Sequence, residues 1–522
     1  MRSSLYRRNH TSSEETEPLL PAIPAPDLDR ADGTHNRMGE LGVSQSALVD
    51  NESKSTKLPQ YLATLAATLG ALAAGSMLGW SSPVMYKVLQ PNQTEYDFTI
   101  TEGQGDWASS LINLGAAAIC FPIGLIMDSI GRKKTMLFLA LPFTLGWLLI
   151  TFAQNVGMLF AGRFITGIAG GAFCVTAPAY TSEIAQDSIR GTLGTYFQLM
   201  ITIGILFSYV VGAYTSVFVF NILCTCIPVV FFVVFFFMPA SPAFLVMKDR
   251  VDEAKKSLVR LRGPNYDVDY ELSNLMRKAQ ETRDKKASFM SIITKKTALK
   301  VVVICYALMV FQQLSGINAV LFNTSTIFSS AGVTIPAEVA TIIIGVIQVI
   351  ATFVASLVVD KLGRRILLLA SALLMCLCLT ALGVYFFLLE KHGDDAAEIL
   401  DPVSWLPLVA LSIFIVAFSF GFGPIPWMMA GELCLIEIKA FVASTAGTLN
   451  WLLSFTVTST FNSLNHAIGF GQVYWMFGGI MVLGFLFIFF VIPETKGKSL
   501  DEVQLLLGAE PQSPRDLETE KK

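Results

Sequence analysis

Charge is scarce in this chain. Only 15% of its 522 residues are Asp, Glu, Lys or Arg, against 53% hydrophobic residues, and the mean hydropathy of +0.58 is well above what a water-solvated domain carries. That poverty excludes a protein bathed in water alone, so lipid is the expected solvent and the bilayer an expected partner. A net charge of −3 leaves no broad basic field, and no nucleic-acid partner is expected. No catalytic triad, phosphate-binding loop or metal-ligand cluster can be read, which argues against an enzyme and against a bound metal or cofactor. The eight cysteines lie mostly within apolar stretches. Cys224 with Cys226, and Cys376 with Cys378, have the spacing of a metal or redox pair but no His or carboxylate beside them, so packing is their expected role. Nor does an apolar stretch follow Arg7 and Arg8, as a secretory signal peptide requires, and insertion is expected to start at the first span.

What the chain has is long apolar runs. A helix rising about 1.5 Å per residue needs about 20 apolar residues to cross a hydrocarbon core about 30 Å thick. Twelve such runs are present in two groups of six: near 59–81, 106–127, 135–153, 157–180, 191–213 and 216–238, then near 299–322, 336–359, 366–389, 403–431, 440–462 and 471–492. The predicted fold is an all-α membrane protein of two six-helix bundles, residues 59–238 and 299–492. Residues 1–58, rich in Ser, Glu, Pro and Asp, read as a disordered tail, and 493–522 as a second tail. Between the bundles, residues 239–298 form a charged linker. Its apolar positions Val251, Ala254, Leu258, Leu261, Leu272, Leu275 and Met276 predict short amphipathic helices at the membrane surface.

The bases set the orientation. Arg132, Lys133, Lys134, Arg190, the many bases of 248–300, Lys361, Arg364, Arg365 and Lys439 all fall on one side of this alternating topology, while the other side holds little beyond Lys87 and Lys391. The basic side is expected to be cytoplasmic, with both termini there.

The two groups of spans look like copies of one unit. Asp128-Ser-Ile-Gly131-Arg132-Lys133 follows the second span and Asp360-Lys-Leu-Gly363-Arg364-Arg365 follows the eighth; Glu183 and Arg190 are seven residues apart, as are Glu432 and Lys439, each pair between the fourth and fifth spans of its half. A duplicated six-span bundle predicts a transporter that holds its substrate between the halves near the membrane midplane.

Five motifs carry a resemblance. Gly124…Asp128…Gly131-Arg132-Lys133, Gly162-Arg163-Phe164, Gln312-Gln313-Leu314-Ser315-Gly316-Ile317-Asn318, Gly423-Pro424-Ile425-Pro426-Trp427 and Pro493-Glu494-Thr495-Lys496-Gly497 occur in order over roughly 59–507. Together they resemble the sugar porter family of the major facilitator superfamily. Within it the chain is most similar to intracellular-type facilitative glucose transporters and insect facilitated trehalose transporters, on its short first external loop and Gly79-Trp80-Ser81-Ser82-Pro83. The resemblance implies a twelve-helix major facilitator fold and a facilitative sugar transporter working by alternating access on a hexose or trehalose. A proton-coupled symporter and a weakly transporting sugar sensor are the competing readings.

The repeated acids and bases can pair between neighbouring loops in one conformation and part in another, as a cytoplasmic gate. Asp128, Arg132, Lys133, Glu183 and Arg190 are assigned to it in the first half, and Asp360, Arg364, Arg365, Glu432 and Lys439 in the second. The plainer reading, that the bases only orient the chain, leaves the matched acids unexplained. One departure from the family stands out: Ala240 and Ala243 replace a Glu and an Arg in Pro239-Ala240-Ser241-Pro242-Ala243, so the first half has lost a gate pair.

Sugar hydroxyls donate and accept at once, and side-chain amides answer both needs without placing charge in the membrane. Gln198, Gln312, Gln313, Asn318, Gln348 and Asn450 lie inside spans, and the resemblance implies that they face the sugar. An isolated span amide more often bonds a neighbouring helix; six of them beside the motifs favour a ligand. Trp427, after two prolines that interrupt the tenth span, is the expected mobile lid, its indole covering a pyranose ring. Ser419 and Phe322-Asn323 replace family residues and leave sugar choice open.

Proton-coupled members of the family carry an Asp in the first span that faces the Arg of the fourth. Here the position holds Ser81, and residues 59–81 contain no Asp or Glu. Arg163 therefore lacks a titratable partner, which favours uniport. Asp106 is the one carboxylate that reopens the question. Glu15-Thr-Glu-Pro-Leu19-Leu20 fits an acidic dileucine signal for a clathrin adaptor, implying cycling between the plasma membrane and endosomes or lysosomes. Asn92-Gln-Thr94 is the glycosylation sequon placed in the first external loop.

Overall fold

The apolar runs fold as helices because, in hydrocarbon, a helix satisfies every backbone N–H and C=O within its own segment. The computed structural model describes residues 55–90, 95–285, 296–392, 400–498 and 500–508. The sorting residues Glu15, Leu19 and Leu20, the sequon at Asn92 and the side chain of Asp360 lie outside the described residues.

α1 (Leu58–Gly79) and α2 (Ser81–Val88) make the first span, α3 (Glu102–Cys120) and α4 (Pro122–Ile130) the second. α5 (Arg132–Thr151), α6 (Val156–Ile184), α7 (Asp187–Tyr214) and α8 (Val217–Phe236) complete the first six. α9 (Pro242–Met247), α10 (Val251–Arg262) and α11 (Val268–Lys285) form the insert. The second six are α12 (Lys296–Leu314) with α13 (Ile317–Ser330), α14 (Ala337–Leu362), α15 (Arg364–His392), α16 (Leu406–Phe420) with α17 (Ile425–Leu433), α18 (Ile436–Ile468) and α19 (Phe470–Val491); α20 (Leu500–Leu506) follows. Eleven of these elements or pairs are long and apolar enough to cross a membrane, and the second span is the twelfth when α3 and α4, bent by 53°, are taken together.

The helices outrun the apolar runs that announced them. The fourth span was expected to stop at 180 and continues to Ile184; the fifth begins at Asp187 rather than 191. Hydropathy marks the hydrocarbon slab, whereas a helix ends where a cap takes over its free backbone groups. At the start of α6, for example, Asn155 accepts from Met158 N at 2.9 Å.

Four spans are each made of two helices, and in three of them the break has a clear local reason. Pro122, at the start of α4, has no N–H and crowds the turn before it. In the seventh span, read as one run from sequence, Gly316 adopts φ +82°, and a Cβ there would stand 2.6 Å from the Phe477 ring. Only glycine meets both demands. The expected break in the tenth span falls between Phe420 and Ile425, where Gly423 N donates to Phe418 O at 2.7 Å.

Small residues set the closest helix crossings. A Cβ on Gly75 of α1 would lie 2.1 Å from Ile201 O, and one on Gly204 of α7 would lie 2.3 Å from Leu72 O, so the two backbones touch as membrane helices do. Large apolar side chains such as Phe138, Leu141, Val233 and Phe490 point outward, where lipid solvates them.

The apolar stripe of the insert faces protein rather than a membrane surface. Leu245, Val246, Ala254, Leu258, Val268 and Leu272 form their own buried cluster, while Met276 stays exposed. The buried Arg262 ties this cluster to the first bundle: it donates to Ile184 O at 2.7 Å and to Glu271 at 2.6 and 3.0 Å. Ser257 donates to Ala240 O at 2.6 Å.

The two bundles meet through α3 with α18, α7 with α14 and α2 with α13. Asn462 Nδ2 donates to Asp106 at 2.5 Å, Asn113 Nδ2 to Thr458 at 3.1 Å and Tyr209 to Leu321 O at 2.7 Å; Ser82 and Ser325 are 3.0 Å apart, and Glu102 and His466 3.1 Å. These bonds lie toward the face opposite the insert.

Candidate functional site

Four of the six amides form one chain of hydrogen bonds. Asn450 on α18 donates to Gln312 Oε1 at 2.6 Å and accepts from Gln313 Nε2 at 2.9 Å. Asn318, just past the Gly316 break, donates to Gln313 Oε1 at 2.8 Å and to Ser454 at 2.7 Å. Gln312 Nε2 in turn reaches Phe422 O and Gly423 O at 2.6 and 3.0 Å, carbonyls freed by the break in the tenth span. Adjacent glutamines on a helix point about 100° apart, yet both meet Asn450, because that side chain sits between them as donor to one and acceptor from the other.

Gln348 and Gln198 stand apart from this chain. Gln348 on α14 is buried, and its Oε1 has no hydrogen-bond partner among the described residues. Gln198 on α7 is half-buried. The first bundle offers an apolar wall instead: Ala116, Ala117 and Cys120 pack with Trp451, and Leu78, Cys174 and Val175 lie against them. Trp427, on α17 directly after the break, is 43% exposed. A Cβ added to Gly447 of α18 would sit 3.5 Å from its ring and 4.0 Å from Cys120 Sγ, so the indole lies where the two bundles approach.

Arg163 is completely buried on α6, and no carboxylate pairs with it among the described residues. Its Nη2 donates to Ser81 Oγ at 2.9 Å, its Nε to Ala108 O at 2.8 Å and its Nη1 to Met77 O at 3.1 Å, and its guanidinium lies 4.3 Å from the centre of the Trp80 ring. Carbonyl dipoles, one hydroxyl and a π face thus solvate the charge.

At the insert face each bundle repeats one construction. Arg132 pairs with Glu183 at 2.7 Å and Asp128 at 3.1 Å; Arg364 pairs with Glu432 at 2.9 Å. Ser241 donates to the second oxygen of Glu183 at 2.5 Å, and Thr495 to that of Glu432 at 2.6 Å. Each of these ion pairs stays within its own bundle. Arg190 does not reach Glu183; it pairs with Asp187 at 2.6 Å and donates to Ala185 O. Lys133 lies over the Phe236 ring, and Arg365 over the Phe489 ring while donating to Phe489 O at 2.5 Å. Lys439 is exposed.

A carboxylate sets the second half apart. Glu494 accepts the backbone N–H groups of Arg364 and Arg365, one on each carboxylate oxygen at 3.0 Å. Burial alone would push its carboxyl up, but these bonds and those from Lys496 and Thr495 hold it below the usual glutamate value. Aligning Ser241 with Thr495 puts Ala240 where Glu494 stands, so α5 begins without that carboxylate. Sequence reasoning missed the two hydroxyls; the repeated Pro-x-Ser and Pro-x-Thr after the sixth and twelfth spans was the available signal.

Among the described residues no group of three or more His, Cys, Asp or Glu side chains is placed to hold a metal. Two repeated six-span bundles, an amide-lined interior and matched Arg–Glu pairs at one face define a carrier of the major facilitator kind. The chain belongs to the family described as "Sugar (and other) transporter", whose model matches residues 67–507. It is 39% identical over 446 residues to the facilitated trehalose transporter Tret1 of Culex quinquefasciatus, covering 85% of each chain. Over 448 residues it is 39% identical to Tret1 of Bombyx mori, covering 86% of each. Against Tret1 of Anopheles gambiae the identity is again 39% over 446 residues, 85% of this chain but 55% of that protein, so the chain spans about half the length of that relative.

Solved structures agree on the fold. The proton:xylose symporter XylE bound to 6-bromo-6-deoxy-D-glucose superposes with a TM-score of 0.68 at 24% identity, covering 86% of this chain and 99% of that one. A partially occluded inward-open form of XylE from E. coli gives 0.69 at 23% identity, covering 84% and 99%.

Proposed function

We propose that this protein is a facilitative sugar carrier that moves a hexose or trehalose down its gradient by alternating access, without proton coupling. The observation that carries the uniport reading is Arg163, whose buried charge is met by Ser81, two carbonyls and Trp80 and, among the described residues, by no carboxylate. A proton relay needs a group that titrates, and a guanidinium beside a hydroxyl supplies none.

The amide chain from Gln312 to Asn318 supports a polyhydroxylated substrate. Amides that already satisfy one another can exchange those bonds for sugar hydroxyls at small net cost, and the free acceptor of Gln348 adds an unmet demand. The apolar wall of Ala116, Ala117, Cys120 and Trp451 suits the non-polar face of a pyranose ring. Trehalose enters as a candidate because the Tret1 relatives carry that name.

The bases favour a cytoplasmic insert face and cytoplasmic termini. On that orientation the bonds between bundles close the outer side, and Asp128, Arg132, Lys133, Glu183, Arg190, Asp360, Arg364, Arg365, Glu432 and Lys439 serve the cytoplasmic gate. Trp427 acts as a mobile lid over the sugar. Residence in the plasma membrane, adaptor-driven cycling through Leu19 and Leu20, and glycosylation at Asn92 complete the reading.

Flux of labelled glucose, fructose and trehalose into proteoliposomes tests it. Uptake of at least one sugar that halts at equal concentrations, and is indifferent to an imposed proton gradient, is expected. Acceleration by that gradient would establish symport, and binding without flux would establish a sensor.

A further inference from the structure

Lys133 and Arg260, from different elements, converge on the end of α8. Lys133 Nζ lies 5.8 Å from the centre of the Phe236 ring, and Arg260 of α10 donates to Phe237 O at 2.5 Å. They are close enough for their charges to repel. Among the described residues no carboxylate forms an ion pair with either: Asp128 and Glu183 pair with Arg132, and Glu253 with Arg250.

The corresponding place in the second bundle has a carboxylate nearby. Arg365, the counterpart of Lys133, also lies 5.8 Å from an aromatic centroid, that of Phe489. There Glu494 brings a carboxylate onto the backbone N–H groups of Arg364 and Arg365. In the first bundle Ala240 brings none, and Arg260 adds a second positive charge.

Below this basic pair, Val229, Val233 and Phe236 run along one face of α8 at helical spacing, all exposed beside Phe237. An anion bound here therefore has an apolar track leading away from it toward the membrane interior.

We propose that Lys133 and Arg260 bind the phosphate-bearing headgroup of an anionic phospholipid, whose acyl chain lies along Val229, Val233 and Phe236. The lipid supplies from outside the chain the negative charge that Glu494 supplies within the second bundle. Its assignment to the cytoplasmic leaflet rests on the orientation proposed above; the binding itself does not depend on the sugar or on uniport.

The test is lipid retention by the full-length protein in detergent, read by native mass spectrometry with phosphatidylserine, phosphatidylcholine or inorganic phosphate added. Wild type should retain phosphatidylserine over phosphatidylcholine. Lys133→Gln and Arg260→Gln should each cut that retention about fivefold, the contribution of one base at a charged membrane surface, while Lys133→Arg keeps it. Ala240→Glu, which installs the missing carboxylate, should lower retention as the neutralising variants do. Each variant is scored against its own phosphatidylcholine retention, so a poorly folded variant declares itself. Equal retention of the two lipids by wild type, unchanged retention in both Gln variants, or displacement of the lipid by inorganic phosphate overturns the proposal.

Discussion

Arg163 and Ser81 are joined by a 2.9 Å hydrogen bond inside a fully buried shell. A carboxylate at position 81 would turn that contact into a buried ion pair whose strength depends on protonation. Ser81→Asp is therefore expected to make sugar exchange pH-dependent, slow at neutral pH and faster in acid. Ser81→Ala should leave one guanidinium donor unmet and lower stability by about 1–3 kcal/mol. Counterflow measured across pH, with thermal unfolding in detergent, reads both; pH-independent exchange in Ser81→Asp would contradict the uniport argument.

Asn450 holds Gln312 and Gln313 together. Asn450→Leu removes the acceptor for Gln313 Nε2 and the donor to Gln312 Oε1 at once. Sugar affinity is expected to fall about 5- to 150-fold, since a lost buried hydrogen bond costs about 1–3 kcal/mol. Equilibrium binding of labelled sugar measures this, and wild-type affinity in the variant would remove the amide chain from the site.

Glu494 predicts an acid dependence of stability. Its carboxyl titrates below the ordinary value of 4.5 because backbone N–H groups hold the anion against the cost of burial. The stabilisation is fully present above that ordinary value and is lost as pH falls through the lowered folded value. Glu494→Gln should thus melt lower than wild type at neutral pH, with the gap closing in strong acid. A gap that persists in acid would assign the effect to packing instead of charge.

Asn462 donates to Asp106 at 2.5 Å across the two bundles. In Asn462→Ala the carboxylate loses its partner in the closed arrangement but regains water when the bundles part. Opening at that face should be favoured by about 1–3 kcal/mol. Labelling of a cysteine introduced at Ser463, which lines the adjacent 360 Å³ cleft with Asp106, reports it through an impermeant maleimide. Unchanged labelling would mean that this contact carries no part of the latch.

The solvent, the spans and the duplication are legible in the linear chain, because apolar length must match bilayer thickness and repeated motifs survive in linear order. It also marked the amides and the vacant acidic position at Ser81, since residue type alone limits what each can donate or carry. The pairings emerge from packing alone. Arg190 shares a connection with Glu183 but turns to Asp187, and Ser241 and Thr495 take their roles only through their contacts with Glu183 and Glu432. The insert's apolar stripe suited a membrane surface equally well until its helices closed on one another and on Ile184. Which partner a side chain takes depends on the crossing of helices distant in sequence, and those crossings are fixed by close contacts such as Gly75 with Ile201, where a packed surface leaves one arrangement and the linear pattern leaves many.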